Sequence, residues 1–174
     1  IAYPRDMSAD APTPAATAVR PPAIAGTFYP AKPAALNALL DRCWQDRAPL
    51  PAAEPAPKAI IAPHAGLVYS GPIAATAYAA LAPIATQVRR VVLLGPSHHF
   101  GFTGFAVPAV SRWSTPLGEV PLDVDALRAL ARRPDVIVSD KVHGPEHSLE
   151  IHLPFLQRVF SGFSLVPVAV GRTE

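Results

Sequence analysis

The sequence predicts an α/β fold with a mostly parallel central sheet flanked by helices. Two observations carry this prediction. Apolar runs of strand length alternate with helical segments along the chain. The runs also lack the period-two alternation of half-exposed strands, which is typical of strands covered on both faces; examples are "KAIIA", "VVLLG" and "SLVPVAV". At 174 residues, the chain is long enough for one domain with a sizeable core.

The predicted domain follows a tail. Residues 1–19 are rich in Ala, Pro, Thr and Asp and hold few large apolar groups, so contacts cannot offset the entropy lost on ordering them. We therefore predict that residues 1–19 are disordered and that residues 20–174 form the α/β domain. The first helix is predicted from Pro33 to Trp44, because four residues share one apolar face: Leu36, Leu39, Leu40 and Cys43.

The remaining elements follow a proline-rich loop from Ala48 to Pro57. Ser70 and Pro72 are typical of a helix start, as are Asp123 and Asp125. The expected order is strand 58–62, helix 72–82, strand 90–95, a short strand near 104–107, helix 123–132, strand 136–139, a helix around 148–160 and strand 164–170. Because the chain stops four residues after the last strand, we expect the C-terminal part of the domain to be lacking.

Composition excludes several classes of protein. The net charge is only +2, and no run of Lys or Arg is longer than two residues, so we expect no nucleic-acid partner. Cys43 is the single cysteine, which favours a reducing compartment and a cytoplasmic location. No apolar run reaches the roughly 18 residues that a membrane span needs, so we expect no membrane association.

Histidines follow two of the predicted strands directly. His64 comes after strand 58–62, and His98 and His99 come after strand 90–95. Since loops at the carboxyl ends of neighbouring parallel strands meet in one crevice, we expect these side chains to converge. Pro63, Gly66, Gly95 and Pro96 shape the backbone on either side of them.

A predicted helix start beside these histidines favours an anionic substrate group. Free backbone N–H groups near Ser70 and Gly71 would point towards the crevice. Tyr69 and Ser97 are added as candidate substrate-binding residues, although packing also explains a tyrosine there. The segment "GPSHHFG" is not the Gly-x-Ser-x-Gly elbow of a serine hydrolase, so a serine nucleophile is disfavoured.

A third motif, "HGPEHSLEIHLP" at residues 143–154, holds three histidines and two glutamates. His147 and His152 are five residues apart, about 140° around an ideal helix, so one helix would not chelate an ion through both. Pro154 also interrupts a continuous helix. We therefore place Glu146, His147, Glu150 and His152, with His99, beside a metal as proton carriers or orienting groups.

The motifs "APHAGLVYSG", "LGPSHH" and "EHSLEIHLPFLQ", with "AGTFYP" and "VPVAVG", resemble the Memo family, whose microbial members are called AmmeMemoRadiSam system protein B. The resemblance covers residues 20–171. It implies a fold similar to LigB-type class III extradiol dioxygenases, and it implies AMMECR1-like and radical-SAM proteins as partners. The family's metal ligands correspond to His64 and His98. The family's third ligand, a cysteine, and its Ser-Asp-x-x-His segment have no counterpart in this sequence.

Three functions stay open. The first is a non-haem enzyme, with Fe(II) or Cu at His64 and His98 and no nucleotide cofactor, that handles oxygen or electrons. The second is a non-enzymatic module that binds phosphopeptides or proteins, and the third is a metal-dependent hydrolase.

Overall fold

The computed structural model describes residues 18–50 and 56–172, and it confirms the α/β class. Most of the predicted tail lies outside the described residues, although its Val19 begins the first strand. The helices are α1 (Pro33–Gln45), α2 (Leu67–Ala79), α3 (Val124–Leu130), α4 (Asp140–His143) and α5 (Leu153–Val159). The strands are β1 (Val19–Arg20), β2 (Arg90–Pro96), β3 (Phe105–Val107), β4 (Arg112–Thr115), β5 (Gly118–Pro121), β6 (Val136–Val138) and β7 (Ser164–Val170).

The strands form two sheets where the sequence predicts one. The larger sheet has the order β2-β7-β3-β6, with parallel pairs β2-β7 and β3-β6 and an antiparallel pair β3-β7. The smaller sheet has the order β1-β4-β5. Its strands are two to four residues long, and a tight turn joins β4 to β5, so their sequences carry too little apolar periodicity to stand out.

Helices α1 and α2 pack closely against each other. The predicted apolar face of α1 is confirmed, since Leu36, Leu39, Leu40 and Cys43 are all buried. On α2, Gly71 is buried against the Cys43 side chain, whose Sγ would overlap a Cβ atom at this position. The glycine therefore allows the close approach of the two helices.

The prediction for α2 is wrong at its start, which lies at Leu67 and not at residue 72. Pro72 lies inside the helix. Its missing N–H leaves the carbonyl of Val68 without an intrahelical partner, and this is tolerated because Val68 is exposed. The predicted strand 58–62 is also absent, since these described residues pair with no strand.

The second half of the chain follows the prediction more closely. Asp123 caps α3, as its carboxylate accepts a hydrogen bond from the amide of Ala126. The predicted helix around 148–160 is divided into a 3-10 turn at Glu150–His152 and α5, with Pro154 in the first turn of α5, where its missing N–H costs nothing. None of the helices in residues 18–50 and 56–172 is long and apolar enough to cross a membrane.

Candidate metal centre

Three imidazoles meet at the carboxyl end of β2. One ring nitrogen from each of His64, His98 and His147 lies within 4.8 Å of the other two. The ring centroids of His64 and His98 are 5.3 Å apart, and those of His98 and His147 are 4.4 Å apart. The structure thus brings His64 and His98 together and adds His147, although only His98 follows a strand, since residues 58–62 pair with none.

Each histidine is placed by a different local structure. His64 lies just before α2, whose N-cap is Gly66, and the amide of Leu67 at the helix start bonds to the carbonyl of Phe28. His98 follows β2, and His147 lies in the loop between α4 and the 3-10 turn. Ser148 joins that loop to β2, because its hydroxyl donates to the carbonyl of Pro96 at 2.8 Å.

The buried carboxylate of Glu146 holds this arrangement in place. Its Oε1 lies 2.8 Å from Nδ1 of His98, and its Oε2 accepts from the His98 amide at 2.6 Å. Oε1 also accepts from the amides of His147 and Ser148, both at 2.9 Å. Because a carboxylate accepts a hydrogen bond from Nδ1, His98 carries its proton there and leaves Nε2 as the free acceptor.

Opposing effects set the pKa values around the cluster. Burial raises the pKa of Glu146, but hydrogen bonds from the ring and amide of His98 and the amide of Ser148 outweigh it and lower the pKa to about 2. Burial lowers the pKa of His64, and the neighbouring His98 lowers it further. Burial also lowers the pKa of His147. The lowered pKa values of His64 and His147 favour the neutral imidazole, which is the form that binds metals.

Two other predicted histidines lie outside the cluster. His99 is exposed, and its ring meets His147 edge-on with centroids 6.2 Å apart. His152 is buried beside Tyr78, with centroids 6.0 Å apart, and burial lowers its pKa to about 4. His147 and His152, five residues apart, therefore lie in different surroundings.

Glu150 is directed away from the three imidazoles. Its carboxylate forms a buried ion pair with Arg20 at 2.6 Å and accepts from the Tyr29 hydroxyl at 2.6 Å. The amides of Ala23 and Ile24 also donate to it, at 2.8 and 3.1 Å. Through these partners, Glu150 connects the N-terminal segment to the 3-10 turn. Its role is therefore structural.

The predicted anion-binding residues do not form a site together. The Ser70 hydroxyl is inside α2 and donates to the carbonyl of Ala65, and Gly71 packs on Cys43. Tyr69 is 83% exposed, and the Ser97 hydroxyl donates to the carbonyl of Phe100. Because α2 starts at Leu67, the free N–H groups expected near Ser70 belong to the helix interior.

The sequence predicts His147 as a proton carrier or orienting group and offers no third ligand, because the family's cysteine has no counterpart in it. One feature of the sequence could have indicated that His147 is a candidate ligand: it directly follows Glu146. A carboxylate that orients one ligand also brings the next residue in the chain close to that ligand. Arg20, the partner of Glu150, was also missed. No local pattern marks it, because its partners lie more than 120 residues away in the chain.

Comparison with known proteins shows the family that this chain resembles. A family model described as Memo-like protein matches residues 20–174. A MEMO1 family protein of Methanopyrus kandleri is 40% identical over 160 residues, which are 87% of this chain and 56% of the relative. A MEMO1 family protein of Archaeoglobus fulgidus is 40% identical over 162 residues, 90% of this chain and 56% of the relative.

The Thermotoga neapolitana MEMO1 family protein is 37% identical over 165 residues, 87% of this chain and 58% of the relative. The chain therefore spans a little over half the length of these curated relatives. The match of the family model to nearly the whole α/β domain, including every histidine of the cluster, establishes that the chain belongs to the Memo-like protein family.

Proposed function

We propose that this chain is a Memo-like metal-binding protein in which His64, His98 and His147 hold one Fe(II) or Cu ion. One observation carries the proposal: a ring nitrogen of each histidine lies within 4.8 Å of the other two. Imidazole suits both iron and copper, and three ligands bind far more tightly than the two that the sequence predicts.

The three residues fit a single ion after a small movement. The three ring nitrogens, which lie within 4.8 Å of one another, would need side-chain shifts of only about 1 Å to share one ion. The lowered pKa values of His64 and His147 keep both imidazoles neutral at pH 7. When bound, such an ion supplies redox chemistry and open coordination positions for oxygen or substrate.

Other residues near the three ligands would orient them, pack against them and exchange protons. Glu146 orients His98 through Nδ1, and Phe28 packs on the His147 ring with centroids 4.8 Å apart. His99, exposed beside His147, is the imidazole that we place in proton exchange with solvent. His152 suits this role less well, because a pKa of about 4 is far from the pH at which a general base works best.

Anaerobic loading followed by metal analysis tests the proposal. The chain is incubated with Fe(II) or Cu, desalted, and measured for bound metal and for oxygen consumption with a reductant. We expect about one equivalent of metal in the wild type and a loss of binding in His64→Ala, with His152→Ala as the matched control. Less than about a tenth of an equivalent in the wild type contradicts the proposal.

Redox activity and hydrolysis are distinguished by the same preparation. The loaded protein is incubated with a panel of ester and phenolic substrates in the presence and absence of oxygen. Products that form only with oxygen support the redox function, whereas equal products without oxygen assign metal-dependent hydrolysis and contradict it.

A further inference from the structure

Arg20 bonds to the loop that carries two residues of the proposed metal centre. This loop, residues 144–149, connects α4 to the 3-10 turn and holds Glu146 and His147. We propose that Arg20 is a positioning residue: its guanidinium fixes the backbone of the loop, and the loop sets the Glu146 carboxylate and the His147 ring. The inference rests on the proposed three-histidine site and gives a role in it to a residue that does not touch the ion.

The guanidinium donates to three carbonyls of one backbone segment. Nε of Arg20 donates to the carbonyl of His143 at 2.7 Å. Nη2 donates to the carbonyl of Gly144 at 3.1 Å and to that of Glu146 at 2.8 Å. In the described part of the chain, no backbone amide donates to the carbonyl of Gly144 or of Glu146. Arg20 therefore supplies the hydrogen bonds that regular secondary structure provides elsewhere.

The sequence of the loop explains why a side chain has to supply these bonds. Residues 144–149 lie in no helix or strand, and Pro145 has no N–H to offer. The bonds from Arg20 to His143 and Glu146 are buried, so water does not take their place. Without the guanidinium, these buried carbonyls would lack partners, and the backbone of the loop would have to move to reach others.

Two further contacts fix the guanidinium itself. Its Nη1 pairs with the Glu150 carboxylate at 2.6 Å, and the Arg20 side chain is 4% exposed. Its Cζ lies 4.5 Å from the centroid of the fully buried Trp113 ring, and Trp113 is also the partner of Arg20 in the β1-β4 pairing. A planar cation that is paired at its edge and stacked on its face is held in one orientation. Arg20 can therefore act as a rigid support for the loop.

Glu146 links the guanidinium to the proposed centre. Its carbonyl accepts from Arg20, while Oε1 of its carboxylate lies 2.8 Å from Nδ1 of His98. The same carboxylate accepts from the amides of His147 and Ser148, both at 2.9 Å. Because the carbonyl and the carboxylate belong to one residue, a shift of this backbone moves the carboxylate away from the ring and the amides that it holds.

A purely structural role for Arg20 predicts a different outcome. In that case, its loss lowers the stability of the fold and leaves the centre unchanged in the molecules that remain folded. Tyr29 provides the comparison, since its hydroxyl donates to Glu150 at 2.6 Å in the same buried network. Tyr29→Phe removes that bond and keeps every bond from Arg20 to the loop.

Arg20→Lys and Tyr29→Phe therefore form a matched pair. Lysine keeps a positive charge for Glu150, but its three N–H donors leave from a single atom and cannot span the carbonyls that the planar guanidinium reaches. Both variants should unfold at a lower urea concentration than the wild type. Only Arg20→Lys should change the loop and the centre.

Hydrogen exchange in the metal-free protein tests the loop. The amides of His98, His147 and Ser148, which all donate to Glu146, should exchange about tenfold faster in Arg20→Lys than in the wild type. In Tyr29→Phe they should exchange as in the wild type. Wild-type exchange in Arg20→Lys, or equal acceleration in the two variants, overturns the proposal.

Titration with Co(II) tests the centre. Arg20→Lys should bind the ion about tenfold more weakly and with an altered visible spectrum, whereas Tyr29→Phe should keep the affinity and the spectrum of the wild type. Wild-type affinity and spectrum in Arg20→Lys overturns the positioning role. A wild type that binds no cobalt contradicts the proposed function instead, and the exchange of the metal-free protein still decides the role of Arg20.

The wild type provides a measurement that needs no variant. Coupling between two sites is reciprocal, so an ion held by the three histidines should steady the guanidinium as well. Addition of Zn(II) should slow the exchange of the Arg20 Nε proton in nuclear magnetic resonance spectra. An unchanged rate in protein that has bound one equivalent of zinc overturns the proposal.

Discussion

Oε1 of Glu146 lies 2.8 Å from Nδ1 of His98 and accepts the amide of His147 at 2.9 Å. One buried carboxylate thus fixes the ring of one proposed ligand and the backbone that carries another. It also leaves Nε2 of His98 as the nitrogen available to an ion. The geometry of the centre therefore depends on a residue that need not touch the metal.

Glu146→Gln should weaken metal binding by about 10–100-fold, because loss of a carboxylate partner leaves the ligand less basic and less well oriented. The amide side chain also brings an NH₂ group towards backbone N–H donors, which should lower the free energy of unfolding by about 1–3 kcal/mol. Titration with Co(II) measures the metal affinity, and urea denaturation measures the free energy of unfolding. Glu119→Gln, at an exposed glutamate, is the control, and equal affinities in the two variants would refute the role.

Arg20→Met should lower the free energy of unfolding by about 3–5 kcal/mol, since it leaves the Glu150 carboxylate buried without its cation. Arg112→Met is the matched control. Arg112 and Glu119 are each 48% exposed and 3.6 Å apart, so breaking this pair should cost less than about 1 kcal/mol. Chemical denaturation measures both, and similar losses would show that the buried pair contributes no more than a surface one.

His143 should make the protein sensitive to acid. Its Nε2 lies 3.0 Å from the carbonyl of Ala106, whereas no described residue bonds to its Nδ1, and burial lowers its pKa from 6.5 to about 4. The unfolded chain then binds the proton more readily than the folded one. This contribution to stability is complete above pH 6.5 and is lost as the pH falls to 4.

His143→Gln isolates that contribution, because glutamine keeps a donor for Ala106 and does not titrate. Between pH 7 and pH 4, the wild type should lose up to about 3 kcal/mol more stability than the variant. Urea unfolding across this pH range gives the two curves. Parallel curves would mean that the histidine is protonated equally in both states.

Gly71→Ala should destabilise the protein by about 1–3 kcal/mol, as the added methyl group overlaps Sγ of Cys43 at the contact of α1 and α2. Cys43→Ala/Gly71→Ala removes the overlap and should recover much of the loss. Thermal unfolding compares the variants with Gly101→Ala, where a Cβ meets nothing within 4 Å. If the double variant is no more stable than Gly71→Ala, the overlap with Cys43 is not the cause of the destabilisation.

The sequence predicted elements whose signals are local. The apolar face of α1, the Asp123 cap and the seven-residue β7 were all found at or near their predicted bounds. The prediction of a strand at 58–62 was wrong because an apolar composition indicates burial, whereas a strand also needs a neighbour with which to pair. The predicted start of α2 was wrong because proline is common at the first position of a helix, whereas Pro72 lies inside this helix.

The candidate site was predictable only in part. The rule that carboxyl ends of strands meet in one crevice applies to His98, which follows β2, whereas His64 lies just before α2 and follows no strand. The roles of His147 and Glu150 could not be separated by sequence alone, because three residues of irregular backbone direct one towards His98 and the other towards Arg20.

The stoichiometry of metal binding in single histidine variants tests the central claim most directly. Anaerobic titration with Co(II), followed by its visible absorption, should give about one equivalent in the wild type, in His99→Ala and in His152→Ala. His64→Ala, His98→Ala and His147→Ala should each lose binding by at least tenfold. If His147→Ala binds cobalt with wild-type affinity and an unchanged spectrum, the three imidazoles do not share one ion.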